Sequence, residues 1–176
     1  MSPFRPDLVE IWIFRDRALD SQVPAAPVAT EPDIEILLLR RSPGRILPGL
    51  WQCVSGSLEL GETVAAGALR ELVEETGYGP GQIAAFYDLD QINQFHEPSV
   101  EAILTAAVFA VRLRAGVEPV LSHEHDAMVW AGPDEALKAA VWPAYRESIR
   151  RVVENLQDPA KSVWFELTLA GERARK

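Results

Sequence analysis

The chain has 176 residues, of which 48% are hydrophobic and 24% charged, with a formal net charge of -9. That is the size of one globular domain with a sizeable core, and with no basic stripe to release phosphate counterions, nonspecific binding to nucleic acid or an anionic membrane is disfavoured. The one cysteine, Cys53, excludes an internal disulfide and fits a reducing cytoplasmic setting, and neither a signal peptide nor an apolar run of membrane-spanning length is expected.

Val9 to Phe14 is rich in strand formers and predicts a first strand. Residues 20–33 carry three prolines and no apolar period, which predicts an exposed loop. Ile34 to Leu39 predicts an apolar strand that ends in Arg40 and Arg41. Paired arginines there are either solvated or aimed at phosphate, which the planar guanidinium suits, and Arg40 is the preferred candidate. Ser42 to Leu50 is a turn-rich loop in which Arg45 is a weaker phosphate candidate. Trp51 to Ser57 predicts a short strand running into a glycine turn, where Cys53 reads as buried filler rather than a nucleophile.

Residues 56–78 are the stretch the rest of the chain serves. Thr63 can cap a following helix, and Gly77 can close it in the left-handed conformation. At about 100° per residue, Ala65, Ala68, Leu69, Leu72, Val73 and Thr76 fall on one side, Glu71 and Glu74 on the other, and Glu75 at the border. Like charges at this spacing repel by a few tenths of a kcal/mol per pair. Folding does not ask for such a cluster, whereas a hard divalent cation does. Arg70 lies one turn before Glu74 and can hold a carboxylate in place. Gly67 costs about 1 kcal/mol of helix propensity and reads as room for a metal or backbone to approach. On charge alone, a solvated acidic face remains the competing reading.

Beyond the helix, Ile83 to Asp90 and Ala102 to Leu113 predict strands. The polar segment between them, Gln91 to Ser99, predicts a lid or specificity loop, with Phe95 either stacked on a substrate ring or packed down. Ser122 to Asp126 precedes a short strand at Ala127–Trp130. The triplet His123-Glu124-His125 invites zinc, but no further ligand type stands at motif spacing. Asp134 to Ala140 and Pro143 to Leu156 predict helices, the second opened by Trp142-Pro143. Ser162 to Leu169 predicts a last strand at a sheet edge or a homodimer contact, and residues 171–176 a loose tail.

Gly56, Glu62, Arg70, Glu71, Leu72, Glu74, Glu75 and Gly77 match the spacing of the Nudix box, so the stretch resembles that family. That box reads Gly, five residues, Glu, seven residues, Arg-Glu, an aliphatic, any residue, Glu-Glu, any residue, Gly, an aliphatic. Tyr78 departs in the final aliphatic slot, a packing position. The entry to the box, Trp51-Gln52 and Val54-Ser55-Gly56-Ser57, is similar to the bacterial dihydroneopterin triphosphate pyrophosphatase branch, where a Thr holds the slot of Ser55. Glu124-His125 followed by Trp130 and a helix is similar to the same branch.

The resemblance implies an α/β fold, a Nudix-type α/β/α sandwich with a mixed β-sheet, over residues 1–176 as a single domain. It implies Mg²⁺, replaceable by Mn²⁺, held by Glu71, Glu74, Glu75 and Glu124. Catalytic roles fall to Glu74, Glu75, Glu124 and Arg70, and substrate contacts to Arg40, Ser55 and Phe95. The implied reaction is hydrolysis of a diphosphate linkage in a small nucleoside derivative, with dihydroneopterin triphosphate or a (d)NTP favoured over ADP-ribose and dinucleoside polyphosphates. A non-catalytic nucleotide sensor is the reading from another class; such members lose box glutamates, and all are present here. An EF-hand is excluded by loop spacing.

Overall fold

The computed structural model describes residues 4–17, 34–114 and 116–174. The loop expected at 20–33 lies outside them. The first strand, β1, runs from Phe4 to Asp16, longer than the apolar stretch at its centre. It is followed by β2, Ile34–Arg41, then β3, Trp51–Gln52, and β4, Val54–Ser57. Helix α1 spans Val64–Thr76. Strands β5, Ile83–Glu97, β6, Ala102–Leu113, and β7, His125–Ala131, come next. Helices α2, Pro133–Ala139, and α3, Pro143–Arg151, lead into one π-type turn over Val152–Leu156, then α4, Pro159–Ser162, and β8, Glu166–Leu167.

Two expectations are corrected. The segment Gln91–Glu97 is strand rather than loop, because it pairs residue by residue with Val108–Ala102 of β6. Its polar composition reflects a strand whose residues are mostly turned to solvent, not an absence of hydrogen-bonded partners. The bulge between Asp88 and Gln91, with Asp90 at φ 51°, separates this outer half from the apolar inner half. At the chain end, the strand expected over Ser162–Leu169 shrinks to Glu166–Leu167, because Asp158 accepts a hydrogen bond from the Ala160 amide and starts a helical turn instead. The tail is also partly tied down: Arg173 donates to Asp88 Oδ2 at 3.0 Å.

The sheet has the order β3-β2-β1-β6-β5-β8, with β4 also paired to β1 and β7 to β2. The β1–β6 pair is parallel and the others antiparallel, so the sheet is mixed. Alternation along the central strands sends side chains to two cores. Val9, Ile11 and Ile13 of β1 and Leu37 and Leu39 of β2 meet Ala68 and Leu72 of α1. Trp12 and Phe14, with Ile36 and Leu38, meet Ala136, Tyr145, Ile149 and Val152 on the other face. The result is the α/β/α sandwich expected. Fully burying a side chain such as Leu72 is worth about 1.5–3 kcal/mol, and it anchors α1 to the sheet. Among the described residues no helix is long and apolar enough to cross a membrane.

Candidate active site

Helix α1 begins and ends where its caps dictate. Thr63 Oγ1 accepts from the Ala66 amide at 3.3 Å, and Gly77 closes the helix at φ 72°. The packed face differs slightly from the helical-wheel expectation. Val73, expected inside, is 45% exposed, while Glu75, expected at the border, is only 4% exposed. Gly67 is corrected as well. A Cβ there would fall 2.4 Å from Leu58 Cδ2 and 2.8 Å from Glu62 Oε2, so these neighbouring side chains occupy the room. Gly56 is the glycine that serves the acidic face, since its missing Cβ would lie 1.9 Å from Glu71 Cδ.

Arg70 organises that face. Its Nε and Nη2 donate to the two oxygens of Glu62, each at 3.0 Å, a bidentate fork. Nη1 donates to Glu71 Oε1 at 2.8 Å and to Glu74 Oε2 at 3.3 Å, and Nη2 also reaches the Ser57 carbonyl at 2.8 Å. One guanidinium therefore ties α1 to the turn before it and sets three carboxylates in order. The hydrogen bond from Arg70 is the main reason Glu62 titrates below the usual carboxylate range. Glu71 moves the other way. Burial raises its pKa, Arg70 opposes, and repulsion from Glu74 and Glu124 adds to the rise.

Glu124 is brought in from beyond β6 by backbone contacts that strap the segment before β7 onto the end of α1. The Val120 amide donates to the Thr76 carbonyl at 2.9 Å and the Ser122 amide to the Glu75 carbonyl at 3.1 Å. Glu124 Oε1 then pairs with Arg45 Nη2 at 3.0 Å. Burial, followed by the charges of Glu124 and Glu71, pushes the Glu75 carboxyl up to about 8, against the lowering effects of the Ser55 backbone and Arg41. Burial and then the Arg41 charge hold His125 down at about 4. Glu75 Oε2 and His125 Nδ1 stand 3.7 Å apart, and both are buried atoms with no hydrogen bond. The rise at Glu75 and the fall at His125 both oppose an ion pair between them.

A buried carboxylate oxygen without a partner, facing further carboxylates, suits a hard divalent cation. Among the described residues no three acidic, imidazole or thiol groups converge to hold a cation as they stand. Arg70 engages one oxygen of Glu71 and one of Glu74, and the other oxygen of each is left for a cation. Zinc finds no support in the histidines. His123 meets Arg45, whereas the buried His125 lies beside Gln52 Nε2 at 3.4 Å, and the two rings have separate surroundings.

The three expected substrate contacts are dispersed. Arg40 Nε donates to Asp126 Oδ1 at 2.7 Å and its guanidinium lies over the Trp51 ring, so it does not join the carboxylates. Arg41, which follows Leu37 and Leu39 in the alternation of β2, is the arginine whose charge reaches Glu75 and His125. That alternation was visible in the sequence and pointed to Arg41. Ser55 Oγ accepts from Gln52 Nε2 at 3.4 Å. Phe95, 42% exposed on β5, lines a cavity of about 350 Å³ between β5 and the start of α3, together with Glu10 and Trp142. Glu10 went unnoticed because a single glutamate in an apolar strand looks like an outward-facing residue; it is 4% exposed.

Fold and site together define an α/β/α sandwich built around an arginine-braced acidic helix. A family model described as NUDIX domain matches residues 21–152. The CTP pyrophosphohydrolase of Escherichia coli (strain K12) is 30% identical over 122 residues, covering 65% of this chain and 78% of that protein. An octanoyltransferase of Myxococcus xanthus is 35% identical over 122 residues, covering 68% of this chain but 32% of the relative, so the chain spans about a third of that protein's length. The solved E. coli dihydroneopterin triphosphate pyrophosphohydrolase superposes with a TM-score of 0.64 at 24% identity, covering 88% of this chain and 97% of that one. The chain belongs to the Nudix family.

Proposed function

We propose that this chain, read as one Nudix domain over residues 1–176, hydrolyses a diphosphate linkage in a nucleoside triphosphate or close analogue with Mg²⁺, or Mn²⁺ in its place. Dihydroneopterin triphosphate and (d)NTPs are the favoured substrates, and a reducing cytoplasm the favoured setting. The observation that carries the reading is the buried, unpartnered oxygen of Glu75 within a carboxylate group braced by Arg70. Glu71, Glu74, Glu75 and Glu124 would hold the cation. When bound, it supplies charge neutralisation on the phosphates and a more acidic water.

The protein's own groups do the rest. Arg70 positions Glu71 and Glu74 for their shared task, and Gly56 leaves space for the Glu71 carboxyl. As the water oxygen bonds to phosphorus and the bridging P–O bond breaks, the water's proton passes to Glu74 or Glu124. Glu75 must first lose the proton that burial holds on it. Ser55, Arg40 and Phe95 are assigned to the substrate beyond the reacting phosphates.

Purified protein is to be incubated with nucleoside triphosphates, dihydroneopterin triphosphate, ADP-ribose and dinucleoside polyphosphates, with and without Mg²⁺. Mg²⁺-dependent turnover of triphosphates, abolished by Glu75→Gln in a protein with unchanged circular dichroism, is the expected result. Full turnover by that variant would overturn the site assignment, and preference for ADP-ribose or dinucleoside polyphosphates would overturn the substrate.

A further inference from the structure

Among the carboxylates assigned to the cation, Glu124 has a partner of a different kind. Glu71 and Glu74 lean on Arg70, which is tied into the helix and the turn before it through all three of its side-chain nitrogens. Glu124 instead pairs with Arg45, whose Nη2 lies 3.0 Å from Glu124 Oε1 and also contacts His123 Nε2. Arg45 stands in the loop from Ser42 to Leu50, outside both cores, where Ile46 and Leu47 are exposed and a Cβ at Gly44 would meet nothing within 4 Å. The two paired side chains are each 33% exposed. A pair this open to water is weakly held, because solvent screens it and two long side chains must be fixed to make it.

The backbone of Glu124 does not depend on that pair. The Ser42 amide donates to the Glu124 carbonyl at 2.8 Å, Ser42 Oγ to the His123 carbonyl at 3.0 Å, and the Glu124 amide to Ser122 Oγ at 3.3 Å. Behind Arg45, Arg41 Nε donates to the Ile46 carbonyl at 2.6 Å and closes the loop onto the end of β2. Departure of the Arg45 guanidinium therefore leaves Glu124 beside Glu71 and Glu75, whose carboxyls feel its charge.

We propose that Arg45 is a counter-ion released by phosphate: in the free protein it neutralises Glu124 and holds cation affinity down, and a polyphosphate arriving at the carboxylates takes the guanidinium and leaves Glu124 to the cation. The proposal rests on the hydrolase reading and adds how its two ligands are coupled. The chemistry is an exchange of anions. A guanidinium donates to two phosphate oxygens at once, and a polyphosphate carries more charge than one carboxylate, so phosphate displaces Glu124 from Arg45. A carboxylate already neutralised by a guanidinium attracts a divalent cation less, and the guanidinium itself repels it. Whatever draws Arg45 away therefore tightens cation binding, and the cation tightens phosphate binding by the same factor.

Chelation by phosphate alone also recruits a cation, and the test separates the two causes. Free Mn²⁺ is followed by electron paramagnetic resonance during titration into the protein, with and without methylenediphosphonate, a diphosphate analogue whose P–C–P bridge is not cleaved. Without the analogue, Arg45→Gln should bind Mn²⁺ about fivefold more tightly than wild type, whereas Arg45→Lys, which keeps the charge, should stay close to wild type. With the analogue, the gain in Mn²⁺ affinity should be about fivefold smaller in Arg45→Gln than in wild type. Adding Glu124→Gln to Arg45→Gln should cancel the tighter binding, and Arg45→Met serves as a second neutral variant should Arg45→Gln fail to fold. A purely structural role for Arg45 would give weaker binding instead. Mn²⁺ affinity in Arg45→Gln at or below that of wild type, with Glu75→Gln still abolishing binding, would overturn the proposal alone. Mn²⁺ binding left untouched by Glu75→Gln would remove the metal-site reading and the proposal with it.

Discussion

At Gly56 the absence of one carbon is a functional requirement. The atoms a Cβ would strike, Glu71 Cδ at 1.9 Å and Oε1 at 2.1 Å, belong to the far end of a flexible side chain. Gly56→Ala should therefore leave the fold standing but drive the Glu71 carboxyl off its place beside Arg70. The expected outcome is a loss of Mg²⁺-dependent turnover of roughly tenfold or more, with a melting shift of only a few degrees in differential scanning calorimetry. A second consequence at this scale concerns pH. Glu75 is raised from 4.5 to about 8 and Glu10 to about 7, so the folded state binds their protons more tightly than the unfolded chain. The stability they contribute is full below 4.5 and is lost as pH rises through about 7 and then 8. His125 acts oppositely. Lowered from 6.5 to about 4, it contributes stability that is present above 6.5 and lost as pH falls toward 4. Because two carboxyls lose stability above 4.5 while only one imidazole gains it, metal-free protein should be most stable to urea at the acid end of that range. Its midpoint should fall toward pH 8.5, about two units above the ordinary histidine value, and less so in Glu75→Gln.

Helix α1 is an element whose ends are chemical and whose orientation is tertiary. Its C-terminal residue Gly77 sits at φ 72°, and a Cβ there would meet Val120 at an ordinary 3.6 Å. Crowding is therefore no obstacle, and only the left-handed backbone penalises a side chain. Gly77→Ala should cost about 1–2 kcal/mol of stability in chemical denaturation and leave kcat close to wild type. A far larger loss would mean that the cap also governs the strap to Val120 and Ser122. The outer half of β5 shows the converse. Residues 91–97 carry a loop-like composition yet form strand, because β6 offers a complete ladder of backbone partners.

For the molecule as a whole, the sandwich places two cores on either side of one sheet, with the acidic helix on one face and the Glu10 cavity on the other. The net charge of -9 includes carboxylates that repel one another around Glu75. A divalent cation that relieves this repulsion binds the folded chain preferentially. Saturating Mg²⁺ or Mn²⁺ should raise the melting temperature, by an amount equivalent to about 2.7 kcal/mol at a hundredfold excess over Kd, and EDTA should reverse it. The shift should be absent in Glu75→Gln; an equal shift there would place the cation elsewhere. What the amino-acid order alone determined were the limits of α1, the glutamate spacing around Arg70 and most strand positions. These follow from capping, from the 3.6-residue turn and from β propensity, all of which act over a few neighbours. Only the tertiary structure decided that Glu75 is buried, that Glu124 arrives beside it and that Glu10 floors a cavity. Each of those depends on which element lies across the sheet, and burial is set by partners distant in the chain.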